Sequence, residues 1–152
     1  MKLNIIAVGK GRAGPETALV KQWLDRLPQG GGLTEIESKL PEGPKRTEDE
    51  SMKLLRAVPA GAALVALDPR GRDCSSEQLA ALIGAWRDEG RGAACFAIGG
   101  ANGHSDQLRQ QADRVIAFGS ATWPHMLFRA MLAEQLYRAT SILAGHPYHR
   151  AS

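Results

Sequence analysis

Apolar positions in this chain form short, nearly continuous runs separated by amphipathic stretches. The β-rich run at 2–8 and the run at 115–118 predict strands, and the runs at 62–67 and 93–98 lack polar alternation, which is typical of strands buried on both faces of a parallel sheet. The stretch 33–38 alternates between apolar and polar residues and predicts a strand at the edge of the sheet. The pattern therefore predicts a mostly parallel sheet of roughly five strands.

Between these runs, apolar residues recur every three to four positions, which predicts helices. Thr47 and Glu50 match a capping box, with Met52, Leu55 and Val58 as the apolar face of the helix that follows. Helices are predicted to begin at Pro15, at Thr47, at Ser75 or Ser76, at about Ser105 and at Pro124, and the last of them to run to about Ala144. Alternation of strands and helices indicates an α/β fold with helices on both faces, forming one domain over 1–152.

Composition narrows the function classes only slightly. A net charge of +3 and a pI near 9.1 are compatible with an acidic partner such as RNA without requiring one. No apolar run approaches the roughly 20 residues that span a bilayer. Cys74 and Cys95 have no metal-ligand spacing and indicate free thiols in a reducing compartment, so we expect a cytoplasmic protein.

A glycine-rich turn follows the first predicted strand. Gly9, Gly11 and Gly14 form a literal G-x-G-x-x-G before a helix, and Glu35 or Glu37 stands near the place of a ribose-binding acid. This pattern favours an NAD(P)-dependent oxidoreductase of the Rossmann type. The same glycines are equally typical of a sharp strand-to-helix connection without a ligand.

Other short patterns give weaker signals. Gly99–Gly103 follows a buried strand and fits either a ligand loop or a plain tight turn. His146 and His149 lack the accompanying ligands of a metal site, so no metal is expected. The tail that contains them, with Tyr148 and Arg150, fits stacking on bases and contacts with phosphate, or else a solvated terminus.

Five longer motifs together resemble a known family. They are LDPRG (67–71), SSEQLA (75–80), FAIGGANG (96–103), FGSATWPHMLFRAMLAEQLYRA (118–139) and HPYHR (146–150). Across essentially its whole length the chain is similar to the bacterial large-subunit rRNA pseudouridine methyltransferases of the RlmH type, which are small SPOUT-class enzymes. The resemblance implies a C-terminal trefoil knot, a homodimer, and S-adenosylmethionine-dependent methylation of N3 of a pseudouridine in 23S rRNA, with the assembled ribosome as substrate.

The resemblance also implies site residues. The cofactor would lie against Leu67, Gly99, Gly100, Phe118, Gly119, Ser120, Ala121, Thr122 and Trp123. Loss of the imide proton calls for a base or a hydrogen-bond partner, for which His125 or His149 of the partner subunit is the candidate, and Arg129 would stabilise charge near the target. The rRNA would be contacted by Arg138, His146, Tyr148, His149 and Arg150.

Two other function classes stay open at this point. One is the NAD(P)-dependent oxidoreductase built on Gly9–Gly14, and the other is a non-catalytic RNA- or ribosome-binding module that uses the basic tail. Stabilisation by S-adenosylmethionine, by NAD(P) or by neither would separate the three classes.

Overall fold

A computed structural model describes residues 1–150 of the 152-residue chain. Strands and helices alternate along it, as the sequence predicts. The elements are β1 (Lys2–Val8), α1 (Pro15–Leu24), β2 (Leu33–Ile36), α2 (Pro44–Arg56), β3 (Ala63–Asp73), α3 (Ser76–Asp88), β4 (Ala93–Ile98), α4 (Asp106–Gln111), β5 (Arg114–Ala117) and α5 (His125–Leu143).

All five strands belong to one parallel sheet with the order β2-β1-β4-β3-β5. The run at β4 pairs with β1 on one side and β3 on the other, which explains why it is fully apolar. The alternating strand β2 lies at an edge, as predicted. Because the strands are parallel, their carboxyl ends meet at one edge of the sheet, and ligands of open α/β sheets bind there.

Helices cover both faces of the sheet, which confirms the predicted fold class. Residues of α1, α3 and α5 form one core with the sheet, and residues of α2 and α4 form a second, smaller core on the opposite face. The first core contains the fully buried Phe96, Leu79, Leu132 and Leu136. The face covered by α5 therefore carries most of the hydrophobic stabilisation.

Strand β3 is longer than the sequence predicts, and this changes the shape of the site. The apolar run ends at Leu67, but the strand continues to Asp73. Both Leu67 and Arg72 pair with Ile116 of β5, so the residues between them bulge out of the ladder. A methyl group on Gly71 would lie 2.6 Å from the backbone nitrogen of Ile116, so only glycine fits this crossing.

The predicted capping box at Thr47 is wrong. Helix α2 begins three residues earlier, at Pro44 after Gly43, because proline in the first turn needs no N–H partner. The predicted apolar face is also displaced, since Met52 is 45% exposed whereas Leu54 is fully buried. The box predicted at Ser75 is present, with Ser75 and Gln78 satisfying each other's backbone N–H groups.

Three further expectations concern the whole chain. Over residues 1–150, no helix is long and apolar enough to cross a membrane. Cys74 and Cys95 are free thiols, the first half-buried and the second buried. The trefoil knot implied by the resemblance stays a prediction.

Candidate active site

The candidate cofactor residues meet at the ends of three neighbouring strands. Leu67 of β3 pairs with Ile98 of β4 on one side and with Ile116 of β5 on the other. Gly99 follows Ile98 directly, and Phe118 lies two residues beyond Ile116. The fold therefore brings Leu67 and Phe118 together, although they are 51 residues apart in the sequence.

The glycine loop after β4 is a tight backbone hairpin. Gly100 and Gly103 form an isolated bridge, with the Gly103 N–H donating to the Gly100 carbonyl at 3.0 Å. A methyl group on Gly99 would lie 2.9 Å from the Gly103 backbone, and one on Gly100 would lie 2.9 Å from a Glu50 oxygen. Internal packing alone thus requires small residues here, whether or not a ligand also approaches.

A cavity of about 570 Å³ opens beside this edge of the sheet, between α5, α1 and the start of α3. Phe118 and Gly119 are the two predicted cofactor residues that line it. Its other walls are Leu19, Trp23, Cys74, Ser75, Ser76, Leu127, Ala130, Met131, Glu134 and Gln135. Its size and its mixture of apolar walls with a few polar groups suit a small organic ligand.

The loop from Phe118 to Trp123 joins β5 to α5. The Gly119 N–H donates to Asp73 Oδ1 at 3.1 Å, and Gly119 has a positive φ of 81°, which glycine adopts without strain. The indole N–H of Trp123 donates to the Phe118 carbonyl at 3.4 Å. Ser120, Ala121 and Thr122 are exposed, so their small side chains leave the backbone between these two anchors open to a ligand.

Arg129 lies at the centre of a polar cluster beneath the first turns of α5. It is a predicted catalytic residue, but its side chain is only 1% exposed. The guanidinium donates to His125 Nε2 at 2.9 Å, to the Gly9 carbonyl at 3.1 Å and to the Glu35 carboxylate. Since this side chain is enclosed and hydrogen-bonded to three groups, it joins α5 to β1 and β2 and leaves no surface for an RNA contact.

The surroundings of Arg129 determine the charge states of the two side chains that it contacts, His125 and Glu35. Burial lowers the pKa of His125, and the neighbouring charge of Arg129 lowers it further, so the ring is neutral near pH 7. Burial would raise the pKa of Glu35, but hydrogen bonds from Arg129 and from the Gly11 N–H outweigh it and lower the pKa. The cluster is therefore a carboxylate, a guanidinium and a neutral imidazole.

The predicted RNA-binding tail folds back on its own chain. The Tyr148 hydroxyl donates to Glu134 at 3.0 Å, and the ring packs against Tyr137, Trp23 and the guanidinium of Arg138. His149 hydrogen-bonds through Nδ1 to Arg138 at 3.1 Å and through Nε2 to Glu77 at 2.7 Å. His146 and Arg150 are exposed. The tail thus lies beside the cavity that Trp23 and Glu134 line.

Sequence reasoning missed part of the cavity wall. Cys74, Ser75 and Ser76 line it because β3 continues past the apolar run and delivers the start of α3 to the same edge as Gly119. Backbone pairing places them, since the Cys74 N–H donates to the Ala117 carbonyl at 3.0 Å. A serine-rich helix start after a strand was the available signal, and it was interpreted only as a cap.

Comparison with known proteins shows the family of this chain. Residues 1–149 match the family described as "Predicted SPOUT methyltransferase". This chain belongs to the SPOUT methyltransferase family. It is 52% identical to the ribosomal RNA large subunit methyltransferase H of Paramagnetospirillum magneticum, with 99% of each chain covered. It is 50% identical to the protein of the same name from Paracoccus denitrificans, again over 99% of each.

Among solved structures, this chain is similar to the SpoU methyltransferase AviRb from Streptomyces viridochromogenes. The TM-score is 0.47 and the identity 16%, with 95% of this chain and 60% of that chain covered.

Membership in this family overturns the oxidoreductase interpretation of the Gly9–Gly14 turn, and the non-catalytic alternative is set aside with it. The structure supplies the physical reason for the first correction. In a dinucleotide fold, backbone N–H groups of this turn face a pyrophosphate. Here the Gly11 N–H donates to the carboxylate of Glu35, the residue that the sequence had suggested as a ribose ligand. Arg129 holds that carboxylate in place, so the turn binds an acid of its own chain.

The histidines do not gather into a metal centre within the part of the chain that the structure describes. No group of three or more His, Cys, Asp or Glu residues there has the arrangement of a metal site. The candidate active site of this SPOUT methyltransferase consists of the strand ends, the cavity beside them and the start of α5.

Proposed function

We propose that this SPOUT methyltransferase transfers a methyl group from S-adenosylmethionine to N3 of a pseudouridine in 23S rRNA, and that it acts on the assembled ribosome. The observation that carries the proposal is identity of about one half, over both full lengths, with relatives named ribosomal RNA large subunit methyltransferase H. We further propose that it works as a homodimer in the cytoplasm. The exposed apolar Leu19 and Trp123 support a second copy near this site.

The residues at the strand ends fit such a cofactor. S-adenosylmethionine has no phosphate, so it needs backbone donors and acceptors and an apolar surface for its adenine, without a lysine or a phosphate loop. The exposed backbone of Ser120–Thr122, the ring of Phe118 and the nearby cavity of about 570 Å³ offer these features. We propose that Leu67, Gly99, Gly100 and the loop 118–123 hold it.

The sulfonium supplies an already activated methyl group, so the protein mainly has to orient N3 and accommodate the charge that develops on the base. We propose that His125 does the latter as a hydrogen-bond donor. Arginine has no acceptor atom, so His125 Nε2 must carry a lone pair towards Arg129, and a neutral ring then carries its proton on Nδ1. An N–H group at this place can stabilise an anionic carbonyl oxygen.

The same geometry gives Arg129 a different role from the one that the resemblance suggested. It fixes the orientation and the tautomer of His125 from inside the protein, which makes it a positioning residue. His149 remains the proposed proton acceptor, provided that its ring is released. Both of its nitrogens are hydrogen-bonded to Arg138 and Glu77, so it must give up at least one of these bonds to reach a nucleotide.

We propose that the tail meets rRNA by exchanging partners within its own chain. Tyr148, Arg138 and His149 already form a stacked and hydrogen-bonded group, and the exposed Arg150 lies at its end. A guanidinium stacked on an aromatic ring is a surface on which a base can also stack. His146 would contact the backbone of the RNA.

The test uses ribosomes from a strain that lacks the modification, labelled S-adenosylmethionine, and detection of the methylated nucleoside in 23S rRNA. We expect stoichiometric methylation by the full chain. A chain truncated after Gly145 should lose this activity but still bind S-adenosylmethionine in calorimetry. Failure of the full chain to bind S-adenosylmethionine would overturn the proposal, and so would methylation of another RNA or of another atom of the base.

A further inference from the structure

A buried aspartate stands next to the proposed cofactor wall. The side chain of Asp68 is 0% exposed and follows Leu67 at the point where β3 bulges. It accepts hydrogen bonds from Arg70 through the backbone N at 2.9 Å, Nε at 2.8 Å and Nη2 at 2.8 Å. A bidentate guanidinium–carboxylate pair of this kind has a fixed mutual orientation.

Arg70 extends this pair to the glycine loop. Its Nη2 also donates to the carbonyl of His104, 34 residues away, at 3.1 Å. Gly103 packs beneath the pair, since a methyl group there would lie 3.5 Å from Arg70 Nη2 and 3.6 Å from Asp68 Oδ2. The pair thus bridges the end of β3 and the loop after β4.

The far end of the same loop is anchored independently. The ring of His104 is buried, and its Nε2 hydrogen-bonds to the carbonyl of Ala97 in β4 at 3.0 Å. The Ser105 N–H donates to the hydroxyl of Ser51 in α2 at 2.9 Å. The β3–β4 ladder ends at the pair Leu67–Ile98, and beyond it the Asp68–Arg70 pair links β3 to the loop.

Resting on the proposed function, we propose that Asp68 and Arg70 are positioning residues for S-adenosylmethionine. By joining the end of β3 to His104, they hold the separation between β3 and the glycine loop 99–104 beyond the last ladder pair, and Leu67 and Gly99 in these two segments are proposed walls of the cofactor site. Neither side chain has to touch the cofactor for this. A change of a fraction of an ångström in that separation alters the fit of a ligand held mainly by backbone groups.

The charge state of the pair supports this role. Burial would raise the pKa of Asp68, but the hydrogen bonds from the side chain and backbone of Arg70 outweigh it and lower the pKa to about 2. The carboxylate is therefore ionised at any working pH, and the bridge does not open by titration near neutrality.

The test compares full-length variants Arg70→Gln, Asp68→Asn and the double variant in calorimetry with S-adenosylmethionine and in steady-state methylation. Arg70→Gln leaves an unpaired buried carboxylate and can destabilise the fold. The double variant has no such charge, so it tests cofactor binding in a folded protein. The matched control is Arg91→Gln, which breaks an arginine–aspartate pair with Asp113. That pair lies near the amino end of β3, where Asp113 accepts the Leu64 N–H. Circular dichroism and the urea midpoint report on folding.

We expect Kd and KM for S-adenosylmethionine to rise about fivefold or more in all three variants, with kcat at saturating cofactor changed less than about twofold. The double variant should be no worse than Arg70→Gln, because both residues act through one bridge. The control should keep the wild-type Kd. Wild-type Kd in the folded double variant would overturn the positioning role alone, whereas absence of binding by the wild type would overturn the proposed function as well.

Discussion

Arg129 Nε donates a hydrogen bond to His125 Nε2 at a distance of 2.9 Å, and Arg129 lies one turn after His125 in helix α5. The donor cannot act as an acceptor, so the relationship dictates which ring nitrogen of His125 holds the proton. Because burial and the charge of Arg129 also lower the pKa of His125, the ring stays neutral to a lower pH than an ordinary imidazole. His125 thus presents an N–H group and has no free lone pair for taking up a proton.

Substituting His125 tests this assignment. Asparagine can place an amide N–H close to the position of Nδ1, whereas alanine cannot, so His125→Asn should retain more single-turnover activity than His125→Ala. We expect the alanine variant to lose about a hundredfold in rate, as when one donor to a developing oxyanion is removed. Rapid-quench methylation of ribosomes measures both, with cofactor affinity as the control. Equal loss in the two variants would argue against a donor role.

Removing Arg129 should destabilise the fold more than removing its partner. Arg129→Met removes the donor to the Gly9 carbonyl and leaves the Glu35 carboxylate with the Gly11 N–H alone, and should cost about 3 kcal/mol. Glu35→Gln should cost less, about 1–2 kcal/mol, because the side-chain oxygen of glutamine still accepts a hydrogen bond from Arg129, although the buried guanidinium loses its carboxylate partner. Urea unfolding followed by circular dichroism gives both values. A loss for Glu35→Gln as large as that for Arg129→Met would contradict the central place of the arginine.

The Asp68–Arg70 pair predicts a dependence of stability on acid. The pKa of Asp68 is lowered from 3.8 in the unfolded chain to about 2 in the folded chain. Its contribution is therefore fully present above about pH 4 and disappears as the pH falls through about 2. We expect the ionised Asp68 to contribute about 1–2 kcal/mol to the free energy of unfolding. This is less than the full pKa shift would give, because Arg70 is half exposed to solvent. The urea midpoint of the wild type should exceed that of Asp68→Asn by less at pH 2.5 than at pH 7. An equal difference at both pH values would refute the pKa shift.

The glycine hairpin offers a steric test of the cofactor wall. A methyl group on Gly99 would lie 2.9 Å from the backbone of Gly103, which cannot yield as a flexible side chain would. Gly99→Ala should therefore displace the loop and weaken S-adenosylmethionine binding by about tenfold or more. Gly92→Ala is the control, since nothing lies within 4 Å of the added carbon. Calorimetry on both variants checks this, and equal Kd values would remove Gly99 from the site.

Much of the scaffold follows from local pattern. The bounds of β4 coincide with a continuous apolar run, and the apolar part of β1 ends with the strand at Val8, because both strands are covered on both faces and the apolar run ends where the cover ends. The extension of β3 had no such signal. Its last residues include Pro69 and Gly71 and pair only through backbone atoms with β5, so neither hydropathy nor propensity marks them as strand.

The interior of the site was less accessible to sequence reasoning for the same kind of reason. Arg129 interrupts the apolar positions of α5, and a charged residue in a helix usually indicates the face that contacts solvent. Its burial depends on acceptors that arrive from Glu35 and Gly9, which are 94 and 120 residues away in the chain. Likewise, the tail was interpreted from its residue types alone, and the partners that hold Tyr148 and His149 lie on α5 and α3. Long-range pairing of polar groups leaves no periodic trace in a sequence.

The carboxylate that Glu35 places against Gly11 has a consequence for selectivity. A nucleotide phosphate that approached this glycine-rich turn would have to displace an anion tethered to the same chain, with an effective concentration on the order of millimolar or higher. We therefore expect phosphorylated metabolites to bind poorly at this turn. The Glu35 carboxylate thus competes with any phosphate for the N–H group of this turn.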